Sequence, residues 1–305
     1  MSRRACRWMM SRAGALASPL LRRKRMWDLI HEGRGRRPKR RISKTRGCME
    51  FFQERVHVTS REEIAPGIFV LRFRSPAIAR QCRPGQFVNI RSDASFVPLL
   101  RRPFSISDVD KDEIEMLFNV VGKGTQILSR KIAGDEVDLI GPLGRPFDCS
   151  RTATHAMLVG GGLGVAPFPF LTRALIAEGH RITSFVGART ADQVISRNIK
   201  NCHVATDDGT KGFHGTVVEL LRCFLEKESV DNVQIYGCGP AAMMRALSNL
   251  AHEKKVRCVV SLEGDMACGI GICQGCPVER REGEKKYSLV CTEGPVFDCE
   301  EIVIR

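Results

Sequence analysis

The pattern of apolar and polar positions divides the chain into stretches of different style. Between residues 54 and 147, short β-rich runs (IFVLRF, QFVNI, FSIS, IEMLFNVV, VDLIG) are punctuated by Pro66-Gly67, Pro84-Gly85, Gly122 with Gly124, and Gly141-Pro142. Turn residues at these intervals predict a small antiparallel barrel with no long helical period inside it. After Asp148 the style changes. HAMLVGGG is an apolar run closing on glycines, and PFPFLTRALIAEG places apolar residues at helical spacing. RITSFVGAR, NCHVATDD and VQIYGCG then read as strands, the last leading into a helix over PAAMMRALSNLAHEKK. Strands alternating with helices predict a parallel α/β sheet. The last fifty residues are rich in Cys and Gly before running into YSLVCTEGPVF, and form a third, small unit.

Composition bounds what these units can be. At 305 residues the chain is long enough for two or three cores. Hydrophobic residues at 43% and charged residues at 27% are ordinary for a soluble globular protein, and no run approaches the ~20 apolar residues that span a bilayer. The net charge of +14 would suggest a nucleic-acid or anionic-membrane partner if it covered the folded surface. It does not: residues 1–48 hold 16 Lys and Arg against Asp28 and Glu32, while the remainder carries 32 basic and 32 acidic residues. No nucleic-acid or membrane partner is expected.

The basic segment, residues 1–48, is expected to be a disordered extension, because it lacks an amphipathic period and the apolar surface to fold alone. Arg3 and Arg4 could open an export signal, but residues 13–21 are short and broken by Ser18 and Pro19. The reading adopted is an upstream extension of a protein whose natural start lies at or near Met49. Thirteen cysteines, an odd number, fit a reducing, cytoplasmic setting and metal ligation better than a disulfide framework. Most of those scattered along the chain read as small buried hydrophobes.

Three motifs carry chemistry. Cys268-x4-Cys273-x2-Cys276-x14-Cys291 has the plant-type [2Fe-2S] spacing, and Gly269, Gly271 and Gly275 would let the backbone curl so that thiolates converge. Zinc on four thiolates is the rival, though zinc ligands more often come as two short pairs. Residues 158–167, LVGGGLGVAP, run from a strand through a glycine turn to a helix start, where backbone amides can approach a pyrophosphate; a plain tight connection is the alternative. Arg101-Arg102-Pro103-Phe104-Ser105-Ile106-Ser107, followed by Gly122-Lys123-Gly124-Thr125, offers an Arg for phosphate and a hydroxyl for a flavin edge. Alone it could equally be an edge strand with a solvated charge pair.

In the order RRPFSIS, GKGT, GPLGRPF, GGGLGVAP, YGCGP and MACGIGICQGCPVE with VCTEGPVF, these segments resemble the ferredoxin-reductase superfamily. The resemblance is closest to the electron-transfer subunits of heteromeric dihydroorotate dehydrogenases, and it covers residues 50–300. It implies a multi-domain α+β chain: an antiparallel FAD-binding β-barrel over 49–150, a parallel α/β nicotinamide-binding domain over 151–255, and a small C-terminal [2Fe-2S] domain over 256–305. Arg102, Pro103, Phe104 and Ser105 fall on the family's flavin strand; Leu117, Phe118 and Asn119 fall on its second flavin strand, and Gly124 and Thr125 on its pyrophosphate turn. The family often has Tyr and Arg where this chain has Phe118 and Asn119. Gly160, Gly162 and Gly164 match the dinucleotide turn, and Cys238, Gly239 and Pro240 the loop near the nicotinamide. Cys268, Cys273, Cys276 and Cys291 match the cluster ligands.

The cofactors implied are FAD, a [2Fe-2S] cluster and NAD. The implied partner is an FMN-containing catalytic subunit of dihydroorotate dehydrogenase in pyrimidine biosynthesis, in a heterotetramer. Because the cofactors would carry the chemistry, no acid–base catalytic residue is expected. NAD and NADP are not distinguished: Arg189 could meet a 2′-phosphate or be a solvated loop residue. Three other functions compete. The small subunit of an NADPH-linked ferredoxin or sulfide oxidoreductase commonly has Asp where Cys268 stands. An iron–sulfur redox sensor would hold the cluster without reduction by NADH. A nucleic-acid binder would use residues 1–48.

Overall fold

In the computed structural model the described residues are 50–93, 97–150, 153–227 and 232–305; the expectations placed on residues 1–48 lie outside them. The first sheet contains β1 (Phe52–Ala65), β2 (Ile68–Arg74), β3 (Phe87–Arg91), β4 (Arg102–Ser105), β5 (Asp108–Asp110), β6 (Glu113–Asn119) and β7 (Glu136–Leu143), in the order β4-β3-β7-β1-β2-β6-β5. Every pairing in it is antiparallel. It curls into a barrel. The Ile106 N–H donates to the Gln86 carbonyl at 3.0 Å and the Ser107 N–H to the Glu115 carbonyl at 2.7 Å, so the segment after β4 touches both margins. Leu71, Phe73, Ile90, Ile114, Met116 and Leu139 fill the interior.

Strand β1 has the weakest local signal. Only Val56 and Val58 of its fourteen residues are fully buried, and it is held by pairing with β2 on one side and β7 on the other. Two short helices, α1 (Pro76–Gln81) and α2 (Lys123–Leu128), interrupt the strands without giving the barrel a long helical segment.

The second sheet runs β11-β10-β9-β8-β12-β13-β16, made of β8 (His155–Gly161), β9 (Arg181–Ala188), β10 (Cys202–Thr206), β11 (Phe213–His214), β12 (Val233–Cys238), β13 (Arg257–Ser261) and β16 (Val296–Asp298). All pairs are parallel except β13 with β16. Every residue of central β8 is buried, which is why HAMLVGG is a continuous rather than alternating apolar run. Its helices are α3 (Phe168–Ala177), α4 (Val217–Lys227) and α5 (Ala241–Lys254). Met244, Leu247, Ser248 and Ala251 of α5 recur at helical spacing on its buried face, and the helix stops where Lys255 turns left-handed at φ 54°. Helix α4 is not among the elements expected from the sequence, although it buries Val217, Val218 and Leu221 on one face and is capped at its start. Thr216 Oγ1 accepts from the Glu219 N–H at 3.2 Å while the Glu219 carboxylate accepts from the Thr216 N–H at 2.8 Å.

The expected boundary between residues 255 and 256 does not follow the hydrogen bonding. Strand β13, four of whose five residues are buried, pairs in parallel with β12 from Gln234↔Arg257 to Cys238↔Ser261. The chain then leaves the sheet, makes the hairpin β14 (Pro277–Glu279) with β15 (Tyr287–Leu289), and returns as β16 to pair antiparallel with β13. The cysteine-rich unit is thus an excursion out of the α/β sheet.

Candidate functional site

A cleft of about 620 Å³ lies between the barrel and the carboxyl ends of the parallel strands, where ligands of α/β sheets sit. Barrel residues Arg102, Pro103, Phe104 and Ser105 of β4, Leu117, Phe118 and Asn119 of β6, and Thr125 of α2 line one side. Gly162, Gly164, Cys238, Gly239 and Pro240 line the other. Residues expected from separate motifs therefore share one cavity.

Two of the expected residues do not line it. A Cβ on Gly160 would sit 2.7 Å from Val165 Cγ1, so that glycine lets the turn fold back on β8, and Gly161 faces the cleft instead. Gly124 lies behind the wall: a Cβ there would come within 2.9 Å of Arg102 Nε and 3.2 Å of Ser92 Oγ. Among the described residues the Ser92 hydroxyl is buried without a hydrogen-bond partner. An orphaned hydroxyl and a guanidinium arching over a residue with no side chain fit the phosphates and ribityl chain of a flavin dinucleotide. Thr125 has a local task, since its Oγ1 accepts from the N–H groups of Val121 and Gly122 at 2.9 and 3.1 Å and so shapes the turn.

The neighbouring arginines have different roles. Arg101 forms a half-buried ion pair with Asp138 at 2.7 Å and donates to the Asp138 carbonyl at 2.8 Å, tying β4 to β7, whereas Arg102 faces the cleft. Phe118, where the family often has Tyr, stacks on Phe69 at 5.8 Å between centroids and meets Phe104 edge-on at 5.7 Å. On the opposite wall the turn after β8 presses against the loop after β12. A Cβ on Gly164 would lie 2.1 Å from the Cys238 carbonyl oxygen, so only glycine fits. Burial pushes the Cys238 thiol well above its ordinary range, which keeps it neutral. Leu262, Glu263 and Met266 also line the cleft. No motif announced Leu262 or Glu263, and Met266, the first residue of the MACGIGICQGCPVE segment, was not expected in the cleft; the signal shared by all three is that they follow the carboxyl end of a parallel strand. Arg189 follows the last residue of β9 and lies outside the residues that line this cleft.

The cluster loop continues from that wall. Gly269 and Gly271 adopt φ 71° and 83°, a left-handed curl that L residues resist. The curl aims backbone N–H groups at sulfur: Ile270 and Cys273 donate to Cys268 Sγ at 3.5 and 3.4 Å, Gly275 to Cys273 Sγ at 3.4 Å, and Cys291 to Cys276 Sγ at 3.4 Å. The thiols fall into two pairs, Cys268 with Cys273 and Cys276 with Cys291. Among the described residues no three potential ligands gather about a single point. Two pairs suit the two irons of a [2Fe-2S] cluster, one pair each, better than a lone zinc. Hydrogen bonds from the backbone at Cys268 and Gly275 bring exposed Cys273 down to about 7, while burial pushes Cys291 up to about 12.

The two sites share a support. Asn89 of β3 stands opposite Pro103 of β4 and donates to the Cys268 carbonyl at 3.2 Å.

Comparison with known proteins agrees with this geometry. Residues 263–303 match the model of the iron-sulfur cluster binding domain of dihydroorotate dehydrogenase B. The chain is 38% identical over 257 residues to the "Dihydroorotate dehydrogenase B (NAD(+)), electron transfer subunit" of Bacillus cereus strain B4264, covering 81% of this chain and 97% of that protein. The protein of the same name in Bacillus anthracis strain CDC 684 is equally similar. Among solved structures, an NADH-dependent reduced ferredoxin-NADP oxidoreductase studied for flavin-based electron bifurcation superposes with a TM-score of 0.73 at 31% identity, over 82% of this chain and 90% of that one. Phthalate dioxygenase reductase, at 17% identity and a TM-score of 0.55 over 76% of this chain and 88% of that one, shares the fold. With the barrel, the α/β sheet and the cysteine loop arranged as described, and relatives matched over nearly their whole length, the chain belongs to the family of dihydroorotate dehydrogenase B electron transfer subunits.

Proposed function

We propose that this chain is the electron-transfer subunit of an NAD-linked dihydroorotate dehydrogenase of pyrimidine biosynthesis, conducting electrons from an FMN-containing catalytic subunit to NAD+. The observation that carries the reading is the single hydrogen-bonded step, Asn89, between the strand that lines the cleft and the loop that holds the cysteines. Bound at these sites, FAD supplies two-electron exchange with a nicotinamide and [2Fe-2S] supplies one-electron transfer.

The residues' own tasks are binding and placement. Arg102 and Ser92 would hold the flavin phosphates, and Pro103, Phe104, Ser105, Leu117, Phe118 and Asn119 the ring system and its linker, with Gly124 and Thr125 shaping the turn beside them. Gly162, Gly164, Cys238, Gly239 and Pro240 would admit the nicotinamide, with Gly160 closing the strand behind them. Cys268, Cys273, Cys276 and Cys291 would hold the cluster.

The domains are read as a barrel over 49–150, an α/β domain over 151–255 joined by β13 and β16, and a cluster unit between those two strands. A heterotetramer in the cytoplasm fits the relatives' naming as a subunit, and no described helix is long and apolar enough to cross a membrane.

The test is an anaerobic titration of the cofactor-replete protein with NADH and then NADPH, scoring flavin bleaching and cluster reduction separately. NADH should reduce both centres, and the chain alone should not oxidise dihydroorotate. Reduction by NADPH only would transfer the reading to the ferredoxin-linked oxidoreductases; no flavin reduction by either would make the protein a sensor.

A further inference from the structure

Away from the cluster loop the fold brings two other cysteines face to face. The antiparallel register that pairs Val259 with Asp298 continues one step to Cys258 opposite Cys299, and the Cys299 N–H donates to the Cys258 carbonyl at 3.0 Å. Residues opposed in a hydrogen-bonded position lie about 5.5 Å apart at Cα, inside the range of roughly 4.4–6.8 Å that a disulfide bridges. Directly opposed side chains leave the sheet on the same face. Both are free thiols, 1% and 2% exposed, and each is the other's hydrogen-bond partner.

The pair is unequal in access and in charge. Cys299 borders an open cleft of about 430 Å³ walled by Ser248, His252, Arg281 and Glu300, and Cys258 does not. The hydrogen bond from Cys258, helped by one from Ser248, lowers the Cys299 thiol; the same bond and burial raise Cys258 well above its ordinary range. Cys299 is therefore the nucleophile that a small oxidant reaches, and Cys258 the thiol waiting behind it.

We propose that Cys258 and Cys299 are a peroxide-sensitive dithiol, a modification site at which oxidation links β13 to β16. Cys299 Sγ attacks one oxygen of hydrogen peroxide, the O–O bond breaks, and water leaves with Cys299 as the sulfenic acid. Cys258 Sγ then attacks that sulfur, the S–O bond breaks, and a second water leaves as the S–S bond forms. Two thiols lose two electrons and one peroxide becomes two waters. The closed loop contains Cys268, Cys273, Cys276 and Cys291, so the bond staples the base of the excursion that carries them. The proposal is independent of which cofactors the chain binds.

The test treats the full chain, as isolated with its cofactors, with a few equivalents of hydrogen peroxide, alkylates remaining thiols, and maps peptides without reduction. The expected product joins the peptides of Cys258 and Cys299 at a mass about 2 Da below the two thiols, and dithiothreitol restores both. In Cys258→Ser, dimedone should label Cys299. Recovery of both cysteines as alkylated thiols, a bridge from either to a different cysteine, or an unlabelled Cys299 in the variant would overturn the proposal. Mapping of the unmutated chain decides the matter should the variant not fold.

Discussion

The side-chain amide of Asn89 donates to the main-chain carbonyl of Cys268 at 3.2 Å, joining a fully buried barrel position to the first cysteine of the cluster loop, 179 residues away in sequence. A Cβ on the next residue, Gly269, would lie 2.7 Å from that same amide, so the loop rests directly on the strand.

Asn89→Ala leaves the Cys268 carbonyl without its donor, at a cost of about 1–3 kcal/mol. The protein should fold and keep its flavin. Cluster absorbance should decay several-fold faster in the presence of a chelator, and cluster reduction should slow while NADH still bleaches flavin at the original rate. Unchanged cluster kinetics in stopped-flow traces would remove Asn89 from this role.

Arg101 and Arg102 should separate cleanly. Arg102→Ala should weaken FAD binding by about 10- to 100-fold, the loss of one or two charge-assisted hydrogen bonds, measured by equilibrium dialysis. Arg101→Ala breaks the ion pair to Asp138 and should cost about 2 kcal/mol of stability in urea, with FAD affinity unaltered.

Gly164→Ala drives a methyl group against the Cys238 carbonyl, and backbone on both sides must yield. The strain is about 1–3 kcal/mol. KM for NADH should rise by tenfold or more with flavin content unchanged; an unaltered KM would place the nicotinamide elsewhere.

Cys273→Ser removes the exposed member of one thiol pair. Visible and paramagnetic signatures of the cluster should disappear, while flavin bleaching by NADH persists.

His155 should give the α/β domain a pH dependence. Its Nδ1 accepts from Arg181 Nη2 at 2.8 Å, leaving Nε2–H to donate to Thr183 Oγ1 at 2.8 Å. Burial first, and the Arg181 charge second, lower its pKa to about 4. The unfolded chain binds the proton near 6.5, so the folded state should lose stability as pH falls from about 6.5 to 4, by about 3 kcal/mol in all, and show no such slope above that window. His155→Gln should flatten the slope in denaturant titrations at stepped pH.

How much of this was legible in the sequence differs element by element. The apolar run HAMLVGG announced a central parallel strand, because a strand covered on both faces has no polar positions to alternate. The cysteine spacing announced the cluster loop, because thiolates converging within a few residues require the glycines that stand between them. Strand β1 stayed hidden, since its charged residues give no local reason for pairing and its place comes from β2 and β7. Leu262 and Glu263 entered the cleft wall unannounced for the same kind of reason.

The sequence by itself determined the local chemistry: two fold styles, a loop of thiolates, a glycine turn, and an arginine strand. Only the tertiary structure decided which arginine faces the cleft, that Gly161 rather than Gly160 lines it, that β13 and β16 belong to the α/β sheet, and that Asn89 links the two sites. Those facts depend on strand register and on contacts between residues far apart in the chain, and side-chain direction in a sheet reverses with a single step of register.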